Sequence, residues 1–321
     1  MLARRRGAPR VRRFDFHSAT AVVTGAASGI GAALAHGLAA RGSDLVLLDR
    51  DAERLATVVG MIRAAYPGRR VDPVVVDLAD AAATAGAAEQ VRVRHPRIRL
   101  LVNNAGVALG GRFDQVTLDE FQWVVDINFR AVVQLTHALL PALKAETGSH
   151  LVNVSSLFGL IAPPGQAAYS ATKFAVRGFT EALRHELVAD GVGVTSVHPG
   201  GIATRITENA RIGSGVNRDD YEVGRRRFDR LLSIPPARAA EVILRGVERR
   251  RPRVLIGLSA KLPDVIARIA PSAYGRLLRV GLNQTADAPT RRLTTGAASS
   301  PQPADEPPPA ASPTHRAEDA V

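Results

Sequence analysis

The strongest constraint on the fold is a repeated alternation of short apolar runs with segments of helical pattern. The first run, Thr20–Thr24, leads through a turn into an Ala/Leu-rich helix that ends near Arg41. Five further units of this kind follow, and a seventh apolar run covers Val254–Gly257. Consecutive strands joined through helices run parallel, because each helix carries the chain back across the sheet. We therefore predict an α/β fold, with a doubly wound parallel sheet of about seven strands and helices on both faces.

A glycine-rich turn lies between the first strand and the first helix. It carries Gly25, Gly29 and Gly31, with Ser28 and Ile30 between them. Glycine permits positive φ and a close approach of other groups to the backbone, and the N-terminus of a helix attracts anions. The turn therefore predicts a cradle for the diphosphate of a dinucleotide in a Rossmann-type sheet.

The second predicted strand, Leu45–Leu48, ends at Asp49, and Arg50 follows it. An acidic residue about 20 positions beyond the glycines is placed to bind the hydroxyls of an adenosine ribose. Its charge would repel a 2′-phosphate, so NAD(H) is favoured over NADP(H). Arg50 keeps NADP(H) open, because a neighbouring guanidinium can accommodate that phosphate.

Further candidate cofactor contacts follow the ends of later strands, where ligands bind in sheets of this kind. Those after the third predicted strand, Val74–Val76, are placed against adenine. After the fourth strand, Asn104 can brace the neighbouring backbone, and Ala105 and Gly106 leave a flat floor for the cofactor. After the sixth strand, Pro199 and Gly200 direct the chain out of the sheet and over the expected nicotinamide site. The candidate contacts are Asp77 and Leu78; Asn104, Ala105 and Gly106; and Pro199 and Gly200.

Tyr169 and Lys173 are four residues apart in a segment that favours a helix, so their side chains are expected on one face. A free phenol titrates near pH ~10, and a neighbouring ammonium favours the phenolate. Ser156, at the end of the fifth strand, is placed to hydrogen-bond the same reacting oxygen. A hydroxyl donor, a phenol of adjustable pKa and a fixed cation are the groups that interconversion of an alcohol and a carbonyl compound requires.

A long helix is predicted over Leu118–Leu143, with Asn128 in its middle. A mid-helix asparagine is commonly a tolerated, solvent-facing residue. The functional alternative is a local break in the helix that holds a water molecule near Lys173.

Composition excludes several other kinds of function. The chain has no cysteine, which rules out thiolate catalysis, and its eight histidines lack a metal-binding spacing. The net charge of +12 is concentrated in an Arg-rich leader and in residues 225–253, without a nucleic-acid-binding motif, so nucleic acid is not expected as a partner. Nearly all basic residues of the chain are arginines, and lysine occurs only as Lys144, Lys173 and Lys261. A lysine at position 173 therefore indicates a need for its compact ammonium group, which the wide guanidinium of arginine does not replace.

The chain divides into four predicted parts. Residues 1–17 are expected to form a flexible Arg-rich leader, and residues 18–257 a single oxidoreductase domain with an irregular or weakly helical lid at about 205–234. Residues 258–282 form a basic amphipathic helical segment, which could cap the core, contact another subunit or lie on a membrane surface. Residues 283–321 are rich in Pro and Ala and are expected to be disordered. No apolar run reaches membrane-spanning length, so we expect a cytoplasmic protein, with peripheral membrane association as an alternative.

These motifs together resemble the short-chain dehydrogenase/reductase family from about Thr20 to Gly257. The motifs that carry the resemblance are Thr24-Gly-x-x-x-Gly-x-Gly31, Asn103-Asn-Ala-Gly106, Asn128, Ser156, Tyr169-x-x-x-Lys173 and Pro199-Gly200. The active serine of the family lies thirteen residues before its tyrosine, which selects Ser156 over Ser155.

The resemblance implies a role for each matched residue. Tyr169 would be the catalytic acid/base, and Ser156 would polarise the substrate oxygen. Lys173 would bind the nicotinamide ribose and lower the pKa of the tyrosine. Asn128 would hold the water molecule of a proton relay.

The resemblance also concerns cofactor contacts, assembly and reaction. Ile202 and Thr204 look like the family's contacts to the nicotinamide carboxamide. A homodimer or homotetramer is suggested, formed through the helices that bear Asn128 and Tyr169. The implied function is an NAD(P)-dependent oxidoreductase that transfers a hydride between the cofactor and a secondary alcohol or ketone. A non-catalytic dinucleotide-binding sensor is the alternative from another class, although a sensor would not need the catalytic side chains.

The substrate prediction rests on apolar residues. The loop Leu157–Pro164 lacks charged side chains, and the lid adds Ile, Phe and Leu. These residues favour a lipophilic secondary alcohol or ketone. A small hydroxyketone of the acetoin type and a 3-oxoacyl thioester are the alternatives, and the Arg-rich residues 225–230 would suit the acidic carrier of a thioester.

Overall fold

The computed structural model describes residues 13–275 of the chain. In chain order the strands are β1 (Thr20–Thr24), β2 (Asp44–Asp49), β3 (Val71–Val75), β4 (Leu100–Asn103), β5 (Leu109–Gly110), β6 (His150–Val154), β7 (Gly193–Pro199), β8 (Arg211–Ile212) and β9 (Arg253–Ile256). Apart from β5 and β8, which pair with each other, these strands form one parallel sheet in the order β3-β2-β1-β4-β6-β7-β9.

Helices connect the strands. In chain order the α-helices are α1 (Gly29–Ala39), α2 (Ala52–Ala65), α3 (Ala81–Arg94), α4 (Leu118–Val125), α5 (Ala131–Lys144), α6 (Ala167–Glu186), α7 (Arg218–Asp229), α8 (Pro236–Glu248) and α9 (Leu258–Ile269). Side-chain caps fix where several of them begin. Asp51 accepts a hydrogen bond from the backbone of Arg54 at the start of α2, and Thr117 and Glu120 form a capping box at the start of α4.

Helices cover both faces of the sheet. Alternate residues of a strand point to opposite faces, so Val23 packs with α1, α2 and α8, whereas Val22 packs with α3, α5 and α6. Because both faces are buried, the central residues of β1 and β2 are continuously apolar, Ala21–Val23 and Leu45–Leu48. The predicted doubly wound α/β fold is confirmed.

The strand order reverses beside β1, because β2 lies on one side of it and β4 on the other. The crevice at the carboxyl ends of the strands at such a reversal is the usual ligand site of open α/β sheets. The turn between β1 and α1 opens into this crevice.

Strand β3 runs from Val71 to Val75, whereas the sequence predicted Val74–Val76. It includes Pro73, which has no backbone N–H to donate. The strand lies at the edge of the sheet, where a missing donor is tolerated.

The folded chain begins before the predicted end of the leader at residue 17. Phe14 and Phe16 are buried against α1 and α8, and their rings meet edge to face with centroids 4.9 Å apart. The backbone of Phe14 also donates to the carbonyl of Glu248 at the end of α8 (2.8 Å). The leader prediction is corrected for residues 13–17, because two aromatic side chains bury enough apolar surface to pack this short segment on the core. Residues 1–12 of the leader lie outside the described residues.

The lid, expected to be irregular or weakly helical, contains a strand and a helix of three turns. Strand β8 pairs with β5 and so ties the lid to the loop after β4. In α7, Arg225 forms ion pairs with Glu222 (2.8 Å) and Asp229 (2.9 Å). Pairs three and four residues apart support a helix in a segment with few apolar residues.

The basic amphipathic segment predicted at 258–282 is helical over α9, and a turn follows it. Its residues beyond 275, like the tail predicted at 283–321, lie outside the described residues. Within residues 13–275, no helix combines the length and apolar character needed to cross a membrane.

Candidate active site

A cleft of about 820 Å³ opens at the carboxyl ends of β1, β4, β6 and β7. Most of the predicted site residues line it. They are Gly25, Ser28, Gly29, Ile30, Asp49, Arg50, Asp77, Leu78, Asn104, Ala105, Gly106, Ser156, Tyr169, Lys173, Pro199, Gly200, Ile202 and Thr204. The remaining two, Gly31 and Asn128, lie behind the lining. The fold thus gathers residues that are spread over most of the chain.

The glycine turn leaves space that side chains would fill. Gly25 and Gly29 have φ of +65° and +54°, in the left-handed region that favours glycine. A Cβ on Gly31 would lie 1.9 Å from the carbonyl oxygen of Gly25, so no side chain fits where α1 meets the turn. The N-terminus of α1 borders this space, and the residues present fit the diphosphate of a dinucleotide.

Thr24 joins the glycine turn to the next strand of the cleft. Its hydroxyl accepts hydrogen bonds from the backbone N–H groups of Asn104 and Ala105, both at 3.0 Å. In return, Nδ2 of Asn104 donates to the carbonyl of Thr24 (2.9 Å). This bracing role of Thr24 was not predicted from the sequence. Its position at the end of β1, directly before the glycine turn, was the available signal.

Asp49 braces the same turn from the end of β2. Its Oδ2 accepts a hydrogen bond from the backbone of Ala27 (2.9 Å), and its Oδ1 accepts one from the backbone of Asp51 (3.0 Å). The carboxylate still borders the cleft, with the exposed Arg50 beside it. Asp49 therefore has a structural role that the sequence did not suggest, in addition to its predicted ribose contact.

Tyr169 and Lys173 both face the cleft from α6, as their spacing predicts. The Nζ of Lys173 lies 5.6 Å from the centroid of the Tyr169 ring and donates to the carbonyl of Val154 (3.1 Å). The Ser156 side chain also borders the cleft and lies close enough to the Tyr169 phenol to lower its pKa. The neighbouring Ser155 instead donates to the carbonyl of Lys173 (2.8 Å). The structure therefore brings Ser156, and not Ser155, to the phenol.

Burial sets the protonation of the phenol and the ammonium. Burial raises the pKa of Tyr169 above its usual 10.0, while the nearby Ser156 side chain lowers it by less. Burial also lowers the pKa of Lys173 to about 8. The sequence predicted a lowered pKa for Tyr169, from its attraction to the ammonium. That expectation is corrected, because the removal of the phenol from water has the largest effect on its pKa in this arrangement.

Asn128 is fully buried behind the cleft. It lies in a π-helical turn, Asp126–Arg130, that separates α4 from α5. Its Oδ1 accepts a hydrogen bond from the N–H of Val107 (2.8 Å), and its Nδ2 donates to the carbonyl of the same residue (3.0 Å). The helix predicted over Leu118–Leu143 is present, and the π-helical turn at Asn128 is the local break that the functional alternative expected. The solvent-facing alternative for Asn128 is excluded, because the residue is buried. The water-holding role remains a prediction.

His198 supports the serine from the end of β7. Its Nδ1 lies 3.1 Å from the carbonyl oxygen of Ser156, and its Nε2 lies 3.0 Å from the hydroxyl of Ser196. Burial lowers the pKa of His198 to about 4, so the imidazole is neutral at physiological pH. These contacts hold the strand end that carries Ser156.

The outer part of the cleft is apolar. The ring of Phe158 stands edge-on to Tyr169, with centroids 6.0 Å apart, and lies 6.2 Å from the ring of Phe228 on α7. Tyr221, also on α7, packs so closely over Gly110 that a Cβ there would lie 2.3 Å from its ring. The lid was predicted from the sequence, but the contact between Tyr221 and Gly110 was not. The seven-residue spacing of Tyr221 and Phe228, about two helical turns, was the available signal.

Comparison with known proteins identifies the family. A family model described as short chain dehydrogenase matches residues 19–214, which is more than half of the chain. The chain belongs to the short-chain dehydrogenase/reductase family. SadH of Mycobacterium tuberculosis is 43% identical to this dehydrogenase/reductase over 271 residues, which cover 84% of this chain and 96% of SadH.

Solved structures of the family agree with this assignment. A short chain dehydrogenase/reductase from Burkholderia phymatum, in complex with NAD, has a TM-score of 0.69 and 29% identity, and the match covers 84% of this chain and 96% of that one. A short-chain dehydrogenase from Sphingobium yanoikuyae, in complex with NADPH, has a TM-score of 0.66 and 29% identity over 83% of this chain and 95% of that one. The predicted enzyme class, an NAD(P)-dependent dehydrogenase/reductase, is confirmed.

Proposed function

We propose that this dehydrogenase/reductase interconverts a secondary alcohol and a ketone, and that Tyr169 exchanges the proton of the reacting oxygen. The observation that carries the proposal is that Ser156, Tyr169 and Lys173 line the same cleft as the glycine cradle, with Ser156 close enough to the phenol to lower its pKa. A substrate oxygen bound between the hydroxyls of Ser156 and Tyr169 would accept a hydrogen bond from each. That geometry polarises a carbonyl group.

The protonation states of the site fit this reaction. Tyr169 is neutral at physiological pH because burial raises its pKa, so its proton is available to the oxygen of a ketone. Ser156 strengthens its hydrogen bond as negative charge develops on that oxygen. Lys173 remains largely protonated near neutral pH and stabilises the phenolate that proton transfer leaves behind. A bound nicotinamide supplies the hydride in this direction and accepts it in the other.

We infer that the substrate is lipophilic. The walls of the cleft beyond Tyr169 are built by Phe158, Ile161, Phe228 and Leu231. Burial of apolar surface against such side chains contributes about 25 cal/mol per Å². An apolar substituent on the carbinol carbon would therefore be bound favourably by these walls. A second hydroxyl there would lose its hydrogen bonds to water, which weakens binding.

A panel of substrates tests this proposal. The purified protein is mixed with long-chain and steroid-like secondary alcohols, an acetoin-type hydroxyketone and a 3-oxoacyl thioester, each with the appropriate redox form of either cofactor, and nicotinamide absorbance is followed. We expect kcat/KM for the best lipophilic alcohol to exceed that for the small hydroxyketone by at least about tenfold. Turnover confined to the hydroxyketone or the thioester would overturn the substrate class. Dinucleotide binding without turnover of any compound would favour a sensor and overturn the reaction itself.

We also propose that NAD(H) is preferred over NADP(H). Asp49 places a carboxylate at the edge of the cleft, where it braces the glycine turn through Ala27. The adenosine half of the cofactor would bind beside this carboxylate. Asp49→Asn removes the charge that would repel a 2′-phosphate and retains the size of the side chain. We expect the ratio of kcat/KM for NAD over NADP to fall about tenfold, measured with one substrate.

Asp44→Asn is the matched control, because Asp44 lies at the opposite end of the same strand and pairs with Arg70 (3.0 Å). The control should leave the cofactor ratio unchanged. An unchanged ratio in Asp49→Asn would show that its carboxylate does not select the cofactor.

A further inference from the structure

Helix α9 exposes an apolar ridge. Leu258, Leu262, Val265 and Ile269 are 79%, 63%, 50% and 79% exposed, respectively. Their spacings of four, three and four residues place them on one stripe of the helix. Isolated exposed apolar residues are ordinary, but a continuous stripe indicates a surface that contacts something apolar.

The ridge is held in this orientation by the opposite side of the helix. Ala260 and Asp264 are buried there, and both oxygens of Asp264 accept hydrogen bonds from Arg253 of β9 (2.9 Å and 2.6 Å). Arg268, one turn further along, donates to the same carboxylate (3.1 Å). The helix is therefore fixed on the sheet edge, and the ridge is a defined feature of the folded chain.

A basic pocket of about 370 Å³ lies beside the ridge. Its cationic lining residues are Arg245, Arg249, Arg251, Arg253 and Lys261. Arg249, Arg251 and Lys261 have no acidic partner among residues 13–275. The nearby acids are already paired, Glu241 with Arg41 and Arg245, and Asp264 with Arg253 and Arg268. The pocket therefore presents uncompensated positive charge.

The other flank of α9 borders the active-site cleft. Ser259 and Pro263 line the cleft, and so does Leu231 of the lid, which is 63% exposed. Helix α9 thus separates the mouth of the cleft from the basic pocket, with the apolar ridge between them. A partner that covers the ridge would therefore contact both the mouth of the cleft and the basic pocket.

We propose that this surface, formed by the α9 ridge and the basic pocket, docks on an anionic lipid bilayer. The ridge enters the boundary between headgroups and acyl chains, and the pocket receives lipid phosphates. An apolar stripe flanked by Arg and Lys is the pattern that binds such an interface. Nucleic acid would leave the ridge in water, and a second copy of the chain would bring more unpaired guanidinium groups to the same contact. The proposal does not depend on the identity of the substrate.

Vesicle co-sedimentation of the full chain tests the docking surface. We expect binding to phosphatidylcholine vesicles that contain phosphatidylglycerol, and much weaker binding to phosphatidylcholine alone. Arg249→Gln with Arg251→Gln should lower the partition coefficient on anionic vesicles about 30-fold, since each charge near such a surface contributes about fivefold. Leu262→Gln with Ile269→Gln should lower it at least about tenfold on the same vesicles.

Matched controls lie on the opposite face of the sheet. Arg94→Gln with Arg184→Gln removes the same charge from α3 and α6, at two arginines that form no ion pair among the described residues. Val93→Gln with Val188→Gln removes two apolar side chains that are exposed like those of the ridge. Both controls should bind within about twofold of the unchanged protein. Thermal unfolding of every variant, compared with the unchanged protein, verifies that the exposed substitutions leave the fold intact.

The outcomes separate lipid from protein partners. Failure of the unchanged protein to bind anionic vesicles at low salt would overturn the proposal. Ridge variants that bind like the unchanged protein would overturn it as well. Sedimentation velocity is run in parallel: a ridge substitution that dissociates an oligomer without altering vesicle binding would assign the ridge to a subunit contact instead.

Discussion

Tyr169→Phe should lower kcat by about 10²- to 10⁴-fold in both directions, which is the range contributed by a positioned acid or base. The substitution removes only the hydroxyl. The ring keeps its edge-on contact with Phe158, and the hydride path is not blocked. Initial rates with the best compound of the panel, at saturating substrate and cofactor, provide the measurement.

Tyr66→Phe is the matched control for this variant, because Tyr66 lies at the end of α2, outside the cleft lining. It should leave kcat unchanged. The pH dependence adds a second readout. Since burial raises the pKa of Tyr169, alcohol oxidation by the unchanged protein should speed up as the pH rises toward that pKa, because oxidation needs the phenolate. A Tyr169→Phe variant that retains the rate would remove the phenol from the mechanism.

Lys173→Met should abolish most of the activity and stabilise the cofactor-free protein. Lys173 is 3% exposed, and burial lowers its pKa from 10.5 to about 8. A shift of that size corresponds to a cost of about 3 kcal/mol for holding the charge in the folded state at neutral pH. Methionine removes the charge but also the hydrogen bond to Val154, worth about 1 kcal/mol, so we expect a net gain of about 2 kcal/mol in the free energy of unfolding.

The pH dependence of this gain has a definite sign. Between pH 8 and pH 10.5 the unfolded chain holds the lysine proton and the folded chain does not, so the unchanged protein becomes more stable as the pH rises. The gain from Lys173→Met should therefore be largest below pH 8 and mostly disappear by about pH 10. Urea unfolding of both proteins at the two pH values measures it.

Lys144→Met is the control, because Lys144 is partly exposed and pairs with Asp190 at 2.8 Å. It should show no gain at either pH. A Lys173→Met variant that is less stable than the unchanged protein at neutral pH, by an amount that does not vary with pH, would contradict the claim that the ammonium is costly to bury.

The positions that line the cleft could be predicted because their sequence signals are local and lie at strand ends. A glycine turn such as Gly25 to Gly31, or a Tyr–Lys pair four residues apart, can be recognised from a few neighbouring residues alone. The parallel sheet then brings those ends to one edge. The fold class and the residues that line the cleft could therefore be predicted without knowing which distant segments of the chain contact each other.

The direction of the pKa shift at Tyr169 could not be predicted in the same way. The sequence shows an ammonium four residues away, but it does not show how completely the assembled fold excludes water. Phe158, from the loop after β6, packs against the tyrosine ring and also meets Phe228 of the lid. Desolvation by such distant contacts, and not the local charge, decides the protonation state.

Two structural elements were missed because charged neighbours obscured them. Phe14 and Phe16 lie at the end of an Arg-rich segment, where composition suggested no packing. Helix α7 has few apolar residues, and its ion pairs depend on the helical geometry that they support. The exposure of the α9 ridge likewise could not be predicted from the sequence, because an amphipathic pattern does not show whether the apolar side of the helix packs on the core.

The affinity of Tyr169→Phe for the reduced dinucleotide, measured on the sample whose turnover is assayed, tests the central claim most directly. If the phenol transfers the proton while the glycine turn holds the cofactor, the Kd should stay within about threefold of the unchanged protein's while turnover is lost. Retained turnover, or a loss of binding together with turnover, would contradict that division of roles.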